Sequence, residues 1–206
     1  MPSKISRIWG ILNFQIVVKR LSCFRIGTMN LNGNQWKQIL LAGWIATLVI
    51  IPILSICGRP LQYWVADSIG YTVVAWSIGL ALLLCFLSAA THLKHRKLSI
   101  PYVHLFWFAV VFLVLPLFLE RVEERLHFLT FGLFGAFSML LFKPRYALMM
   151  CILFSGADEL LQFFLADRVG DWRDVGMNCL ASLAAGMFVW FTMIKPATTE
   201  PVINES

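Results

Sequence analysis

Three sets of polar and ionisable side chains interrupt apolar runs in the second half of the chain, and they are the residues that could do chemistry. The sets are Glu120, Glu123, Glu124, Arg125, His127 and Thr130; Ser155, Asp158, Glu159 and Gln162; and Asp171, Asp174, Asn178 and Ser182. Members of the last two sets are three or four residues apart, so each set lies on one face of a helix. Ionisable groups inside a bilayer cost at least about 2.5–3.5 kcal/mol each, and they rarely occur there without a role.

These residue types are suited to recognition of an anionic group. An arginine such as Arg125 or Arg168 can bond two oxygens of a phosphate or carboxylate at once, and Gln162 and Asn178 would add neutral hydrogen bonds. The predicted binding residues are Arg125, Gln162, Arg168, Asp171, Asp174 and Asn178.

The same residues also permit acid–base catalysis. His127 would be the general base, and Asp158 or Glu159 would be the acid. A divalent metal on Asp158, Asp174 and His127 is an open alternative, but one His with separated carboxylates is not diagnostic of such a site, and no metal or cofactor is predicted. The purely structural alternative is that these side chains only join helices by hydrogen bonds, each worth on average under about 1 kcal/mol.

The composition predicts that the helices carrying these residues lie in a membrane. The chain has 206 residues, of which 59% are hydrophobic and 14% are charged, with a mean hydropathy of +0.76. A soluble domain carries about 25% charged residues. The composition therefore excludes a disordered protein and argues against a soluble enzyme. The five cysteines are scattered, without a paired or metal-binding spacing.

Six runs are long and apolar enough to be read as transmembrane helices. They are residues 38–57, 68–93, 98–119, 126–142, 146–166 and 175–194. The predicted fold is an all-α polytopic membrane helix bundle. Residues 1–36 would be a basic cytoplasmic segment, residues 37–195 the transmembrane domain, and residues 196–206 a disordered cytoplasmic tail.

Lys and Arg are retained on the cytoplasmic side of membranes, and their distribution predicts that both termini are cytoplasmic. The segment before residue 38 holds six of them, and the next predicted loop holds only Arg59. The three polar sets would then lie at the outer leaflet, in one pocket between the last three helices. The net charge of +6 reflects this topology and attraction to an anionic inner leaflet. The sequence therefore predicts membrane lipids, and not nucleic acid, as partners.

At the polar sets the sequence resembles the VanZ-like family of bacterial membrane proteins. The first matching element is Glu124-Arg125-Leu126-His127 followed by FLTFGLFG, and the second is a DExxQ…RxGDxxDxxxN…G pattern. The second runs through Asp158, Glu159, Gln162, Arg168, Gly170, Asp171, Asp174, Asn178 and Gly186. The resemblance covers roughly residues 110–194. Departures from the family pattern are Ala166-Asp167 in place of Pro-Gly, Thr130 in place of Glu, and Phe131 in place of Tyr.

The resemblance implies a cell-envelope role in the bacterial inner membrane, and the family is named for an association with teicoplanin resistance. The leading hypothesis is binding of a lipid-linked glycan precursor, a lipophilic glycopeptide or a partner membrane protein. The alternative is an intramembrane enzyme that acts on a lipid-linked substrate with His127 and Asp158 or Glu159. A transporter or flippase is disfavoured because the polar residues stop in one half of the helices. Both leading hypotheses require His127, Asp158 and Asn178 to face one cavity.

Overall fold

The computed structural model describes residues 32–70, 72–73, 76–77, 79–80, 83, 87, 102–119, 121–166, 168 and 170–194. Most of the basic segment 1–36, most of the predicted helix 68–93, and the tail 196–206 lie outside the described residues. The regular elements in the described part of the chain are all helical, which agrees with the all-α prediction.

Helix α1 spans Gly33–Ser68. Its first turn is closed by a reciprocal pair, in which Asn32 Oδ1 accepts from the Gln35 amide at 2.9 Å and the Asn32 amide donates to Gln35 Oε1 at 2.8 Å. The sequence predicted a helix end near residue 57 and a loop around Arg59. Instead α1 continues through Pro52 and Pro60. A proline removes one backbone donor, and helices in membrane proteins tolerate this loss.

Four further helical segments complete the described fold. Helix α2 spans Tyr102–Ala109 and continues as a π-helical turn, Val110–Val114, and a 3-10 turn, Leu115–Phe118. Helix α3 spans Val122–Leu141 and α4 spans Pro144–Phe163. Helix α5 spans Trp172–Val189 and ends in a second π-helical turn, Trp190–Ile194.

Three helices in the described residues are long and apolar enough to cross a membrane, namely Gly33–Pro60, Pro144–Phe163 and Trp172–Ile194, and a shorter apolar helix covers Val103–Phe118. Large apolar side chains on α1, such as Ile45, Val49 and Ile53, are about half exposed. A continuous apolar surface of this kind is stable in lipid and not in water. The protein is therefore a helical membrane protein.

Helices α3 and α5 pack closely because glycines face each other between them. A Cβ on Gly135 would overlap the backbone of Ser182, and one on Gly186 would lie 3.3 Å from the Gly135 carbonyl oxygen. The aromatic rings of Phe128, Phe131 and Phe134 fill the adjacent core. This packing fixes the axial position of α3 relative to α5, and so determines which residues of α5 lie beside the first two turns of α3.

The bundle has two chemically different ends. At the apolar end, Met139 of α3, Ala147 of α4 and Val189 of α5 form a buried cluster with Ile194. At the polar end lie the start of α3, the end of α4, the start of α5 and the part of α1 near Ser55. Chain direction alone produces this arrangement, since α3 runs antiparallel to α1 and to α4, and α4 runs antiparallel to α5.

Candidate functional site

A pocket of about 50 Å³ opens at the polar end, large enough for a few water molecules. Its polar lining comes from α1, α3, α4, α5 and the connections before α3 and before α5. These polar residues are Arg59, Arg121, Glu124, His127, Gln162, Arg168, Asp174 and Asn178. We call this site the arginine pocket, because three of the eight are arginines.

The three arginines that line the pocket belong to separate elements. Arg59 lies on α1, Arg121 is the residue before α3, and Arg168 lies in the connection between α4 and α5. Arg168 Nη2 also donates to the Leu54 carbonyl at 3.4 Å, which ties this connection to α1. A site formed by three arginines is suited to an anion with several oxygens.

A buried polar network lies behind the pocket wall. Ser55 Oγ donates to Asp158 Oδ1, and His127 Nε2 lies 3.0 Å from Ser55 Oγ and 3.4 Å from Asp158 Oδ2. Gln162 Nε2 donates to Asp158 Oδ2 at 3.1 Å. The Asp158 carboxylate thus joins α1, α3 and α4. Ser55 is completely buried and Asp158 is 4% exposed, so water does not compete for these bonds.

The network sets the orientation of the His127 ring. Because the Ser55 hydroxyl gives its proton to Asp158, its oxygen is free to accept from His127 Nε2–H. In a neutral imidazole the other nitrogen, Nδ1, is then the acceptor, and it has no hydrogen-bond partner among the described residues. His127 also lines the pocket. The arrangement differs from a Ser–His–Asp triad, in which Ser and Asp bond opposite nitrogens of the ring.

Two carboxylates of the pocket face an arginine at its rim. Arg173 Nη2 lies 3.4 Å from Glu124 Oε1, and Arg173 Nε lies 3.5 Å from Asp174 Oδ1. Glu124 precedes the apolar run of α3 that begins at residue 126. Burial, with repulsion from Asp174, raises the pKa of Glu124, and Arg173 and Arg121 oppose this shift. The second oxygen of Glu124 is buried without a hydrogen-bond partner in the described structure.

The structure divides the predicted site residues between pocket and scaffold. His127, Gln162, Arg168, Asp174 and Asn178 line the pocket, and Asp158 lies in the network directly behind it. Both leading hypotheses required His127, Asp158 and Asn178 to face one cavity. His127 and Asn178 line it, whereas Asp158 does not and only contacts two of its lining residues, His127 and Gln162.

Three other predicted residues lie outside the pocket lining. Glu159 Oε1 accepts from the Asp171 amide at 2.6 Å, which holds the α4–α5 connection against α4. The Asp171 side chain caps α5 by accepting from the Arg173 amide at 2.9 Å. Arg125 donates twice to the Leu119 carbonyl, from Nε at 3.2 Å and from Nη2 at 3.0 Å.

The sequence analysis missed Ser55, Arg59 and Arg121 as site residues. The loop-charge argument used Arg59 only to assign topology, Arg121 was not considered as a site residue, and Ser55 was part of the predicted apolar span 38–57. Ser55 and Arg59 are four residues apart, so a helix continuing past residue 57 places both on one face. That spacing was the available signal. Among the described residues no group of three or more His, Cys, Asp or Glu could hold a metal ion.

A family model described as VanZ/LLP1 matches residues 11–194. The match therefore starts well before α1 and includes every residue of the arginine pocket, whereas the motif resemblance covered only residues 110–194. No curated protein and no solved structure gave a match.

Proposed function

The chain belongs to the VanZ/LLP1 family, and we propose that it serves the bacterial cell envelope by binding an anionic group of a lipid-linked precursor in the arginine pocket. The single observation that carries the proposal is the convergence of Arg59, Arg121 and Arg168 on one small cavity. Arginine is the preferred residue for phosphate and carboxylate because its planar fork bonds two oxygens.

The charge of the pocket favours an anion. Three arginines and two carboxylates line it, which gives 3 − 2 = +1 with His127 neutral. Arg173 adds a fourth cation at the rim, 3.4 Å from Glu124 and 3.5 Å from Asp174. The remaining polar lining, Gln162 and Asn178, offers neutral hydrogen bonds that would orient the ligand without adding charge.

We further propose that the pocket faces outward from the inner membrane, in a bundle of about six spans with both termini inside. Lys143 and Arg145 lie in the turn at the apolar end, and Lys37 lies near the start of α1 at the same end. Six Lys and Arg lie at or before Lys37, whereas the polar end of α1 carries only Arg59. Because Lys and Arg are retained on the cytoplasmic side, this difference favours a cytoplasmic apolar end. A lipophilic glycopeptide carboxylate or an acidic partner protein would fit the same chemistry.

Binding can be tested with a water-soluble lipid phosphate, dihexanoyl phosphatidic acid, on the purified full chain. Arg59→Gln, Arg121→Gln and Arg168→Gln should each weaken binding about tenfold or more, because a hydrogen bond to a charged group contributes roughly 1.5–3 kcal/mol. Arg145→Gln, at the apolar end, is the matched control and should bind like the wild type. Unchanged affinity in all three pocket variants would reject the proposal. Thermal unfolding of each variant separates lost binding from lost folding, notably for Arg168, which also contacts Leu54.

An enzyme acting on a lipid-linked substrate is the second candidate, and the position of His127 favours it. The network holds Nε2 and leaves Nδ1 as an acceptor on a ring that lines the pocket, which suits a general base. Ser55 is not placed as a nucleophile because it is fully buried. Release of phosphate or alcohol from a lipid phosphate by the wild type, lost in His127→Gln with binding retained, would support catalysis. Binding without any turnover would leave the protein a binding protein.

A further inference from the structure

A second cavity of about 550 Å³ lies beside the arginine pocket, and its lining is almost entirely apolar. We call it the apolar groove. Its main lining residues are Trp76, Leu80, Leu83, Leu113, Leu117 and Arg125. The first three are four and three residues apart and so share one helical face. Leu113 and Leu117 border the groove from the π-helical and 3-10 turns that follow α2. Its volume is in the range of ligand sites in proteins, about 300–1,000 Å³.

Two residues of the lining are uncovered. Trp76 is 75% exposed and Leu117 is 65% exposed, so no other part of the described structure packs over them. It is also roughly an order of magnitude larger than the arginine pocket. The pocket is sized for a small anionic group, and the groove is sized for the larger apolar part of the same molecule.

The segment between Leu117 and Arg125 connects the two cavities. Leu117 borders the groove, and Leu119, two residues later, borders the arginine pocket. Arg125 lines the groove while donating to the Leu119 carbonyl. The two cavities are therefore separated by little more than the chain around Leu119.

Arg125 is the charged residue in the lining of this apolar groove. Two of its five N–H groups bond Leu119, and the other three have no partner among the described residues. A guanidinium next to hydrocarbon is costly unless its donors are used. Donors at the border between a polar pocket and an apolar groove are positioned for the ester or phosphate oxygens that join a lipid head to its tail.

We infer that the ligand is an anionic lipid whose head occupies the arginine pocket and whose hydrocarbon chain lies in the apolar groove, with Arg125 bonding the polar linkage between them. This inference rests on the proposed function and adds to it a second site, the apolar groove, for the hydrocarbon chain of the lipid ligand. It also assigns Arg125, which lies outside the pocket lining, to the same ligand.

The test compares two probes with one head group on the purified full chain: dihexanoyl phosphatidic acid, whose chains are too short to fill the groove, and dioleoyl phosphatidic acid in nanodiscs. Leu80→Trp and Leu117→Trp fill the groove at exposed positions, where folding should tolerate them. Leu160→Trp, equally exposed on α4, is the matched control. We expect the groove variants to weaken dioleoyl binding about tenfold and to change dihexanoyl binding less than twofold, with the control unchanged for both.

The outcomes separate this inference from the proposed function. If both groove variants bind dioleoyl phosphatidic acid like the wild type while Arg168→Gln lowers the affinity for both probes, the head-group site in the pocket is supported and the tail site in the groove is rejected. If the groove variants lower the affinity for both probes equally, the tail site is also rejected, because the substitutions would then act on head-group binding. If the wild type binds neither probe, the proposed function fails and this inference fails with it. Arg125→Gln should lower the affinity for dioleoyl phosphatidic acid more than Leu160→Trp does.

Discussion

The polar and apolar ends of the bundle are built from the same three helices, yet different contacts hold them together. At the apolar end, Met139, Ala147 and Val189 pack without any buried charge. At the polar end, the same helices meet around the Asp158 carboxylate and its partners. Since apolar and small residues suffice to join the helices at one end, helix packing alone does not require a buried carboxylate at the other.

Helix α1 makes the comparison sharper because it is tied to the bundle at both ends by a serine. Near the apolar end, Trp44 Nε1 donates to Ser138 Oγ at 3.0 Å. Near the polar end, Ser55 bonds Asp158 and His127. Both serines are fully buried. One contact is a neutral pair. The other belongs to a network with an ionisable acceptor, and it lies behind the arginine pocket.

The largest expected effect comes from the middle of the bundle, where both ends depend on one close contact. Gly135→Ala places a Cβ against the Ser182 backbone, which cannot move aside as a side chain can. We expect a loss of about 3 kcal/mol in the free energy of unfolding, the upper end of the typical range for overpacking. The measurement is reversible unfolding of the purified protein in mixed micelles.

The matched control for this prediction is Gly156→Ala, since a Cβ at Gly156 meets no atom within 4 Å. It should be neutral or slightly stabilising because alanine is the better helix former by about 1 kcal/mol. Equal stability of the two variants would mean that α3 and α5 do not pack through Gly135.

The second prediction tests whether the polar end depends on Asp158. Asp158→Ala leaves Ser55 and Gln162 without their acceptor in a buried site, which should cost about 2–3 kcal/mol. Asp158→Asn keeps one acceptor oxygen and should cost less. Leu160→Ala, on the lipid-exposed face of the same helix, serves as the control in the same unfolding assay. A variant Asp158→Ala as stable as the control would show that the network contributes no stability.

The third prediction compares the two serines directly. Ser55→Ala should cost about 1.5–2 kcal/mol, because it removes a partner of an ionisable acceptor, whereas Ser138→Ala should cost about 0.5–1 kcal/mol, as for a neutral hydrogen bond. Only Ser55→Ala should also weaken binding of a lipid phosphate, since it frees the His127 ring. If the two variants lose equal stability and neither binds the lipid phosphate more weakly, the polar and apolar ends of the bundle differ in composition, but the serine contacts have the same structural role at both.

The sequence predicted the part of the site that depends on helical spacing within one element. Asp158 and Gln162 share a face of α4, as their spacing of four requires, and Gln162 lines the same pocket as Asn178 of α5. The contribution of α1 was not predictable in this way. It depends on the axial position of α1 relative to α3, which the sequence does not specify. A single serine in an apolar helix is also no sign of a site, because its hydroxyl can bond its own backbone, as Ser55 Oγ does with the Ile51 carbonyl at 3.2 Å.

The smallest expected effect lies at the rim of the arginine pocket. Arg173 approaches Glu124 and Asp174 at 3.4–3.5 Å, but its side chain is 61% exposed. Exposed ion pairs contribute little, so Arg173→Ala should change the free energy of unfolding by no more than about 0.5 kcal/mol. The same substitution removes the cation that opposes the upward shift in the pKa of Glu124, so Glu124 should take up a proton at a higher pH in the variant. A cost comparable with that of Asp158→Ala would mean that the rim pairs hold the polar end together, and that the buried network is not what distinguishes it from the apolar end.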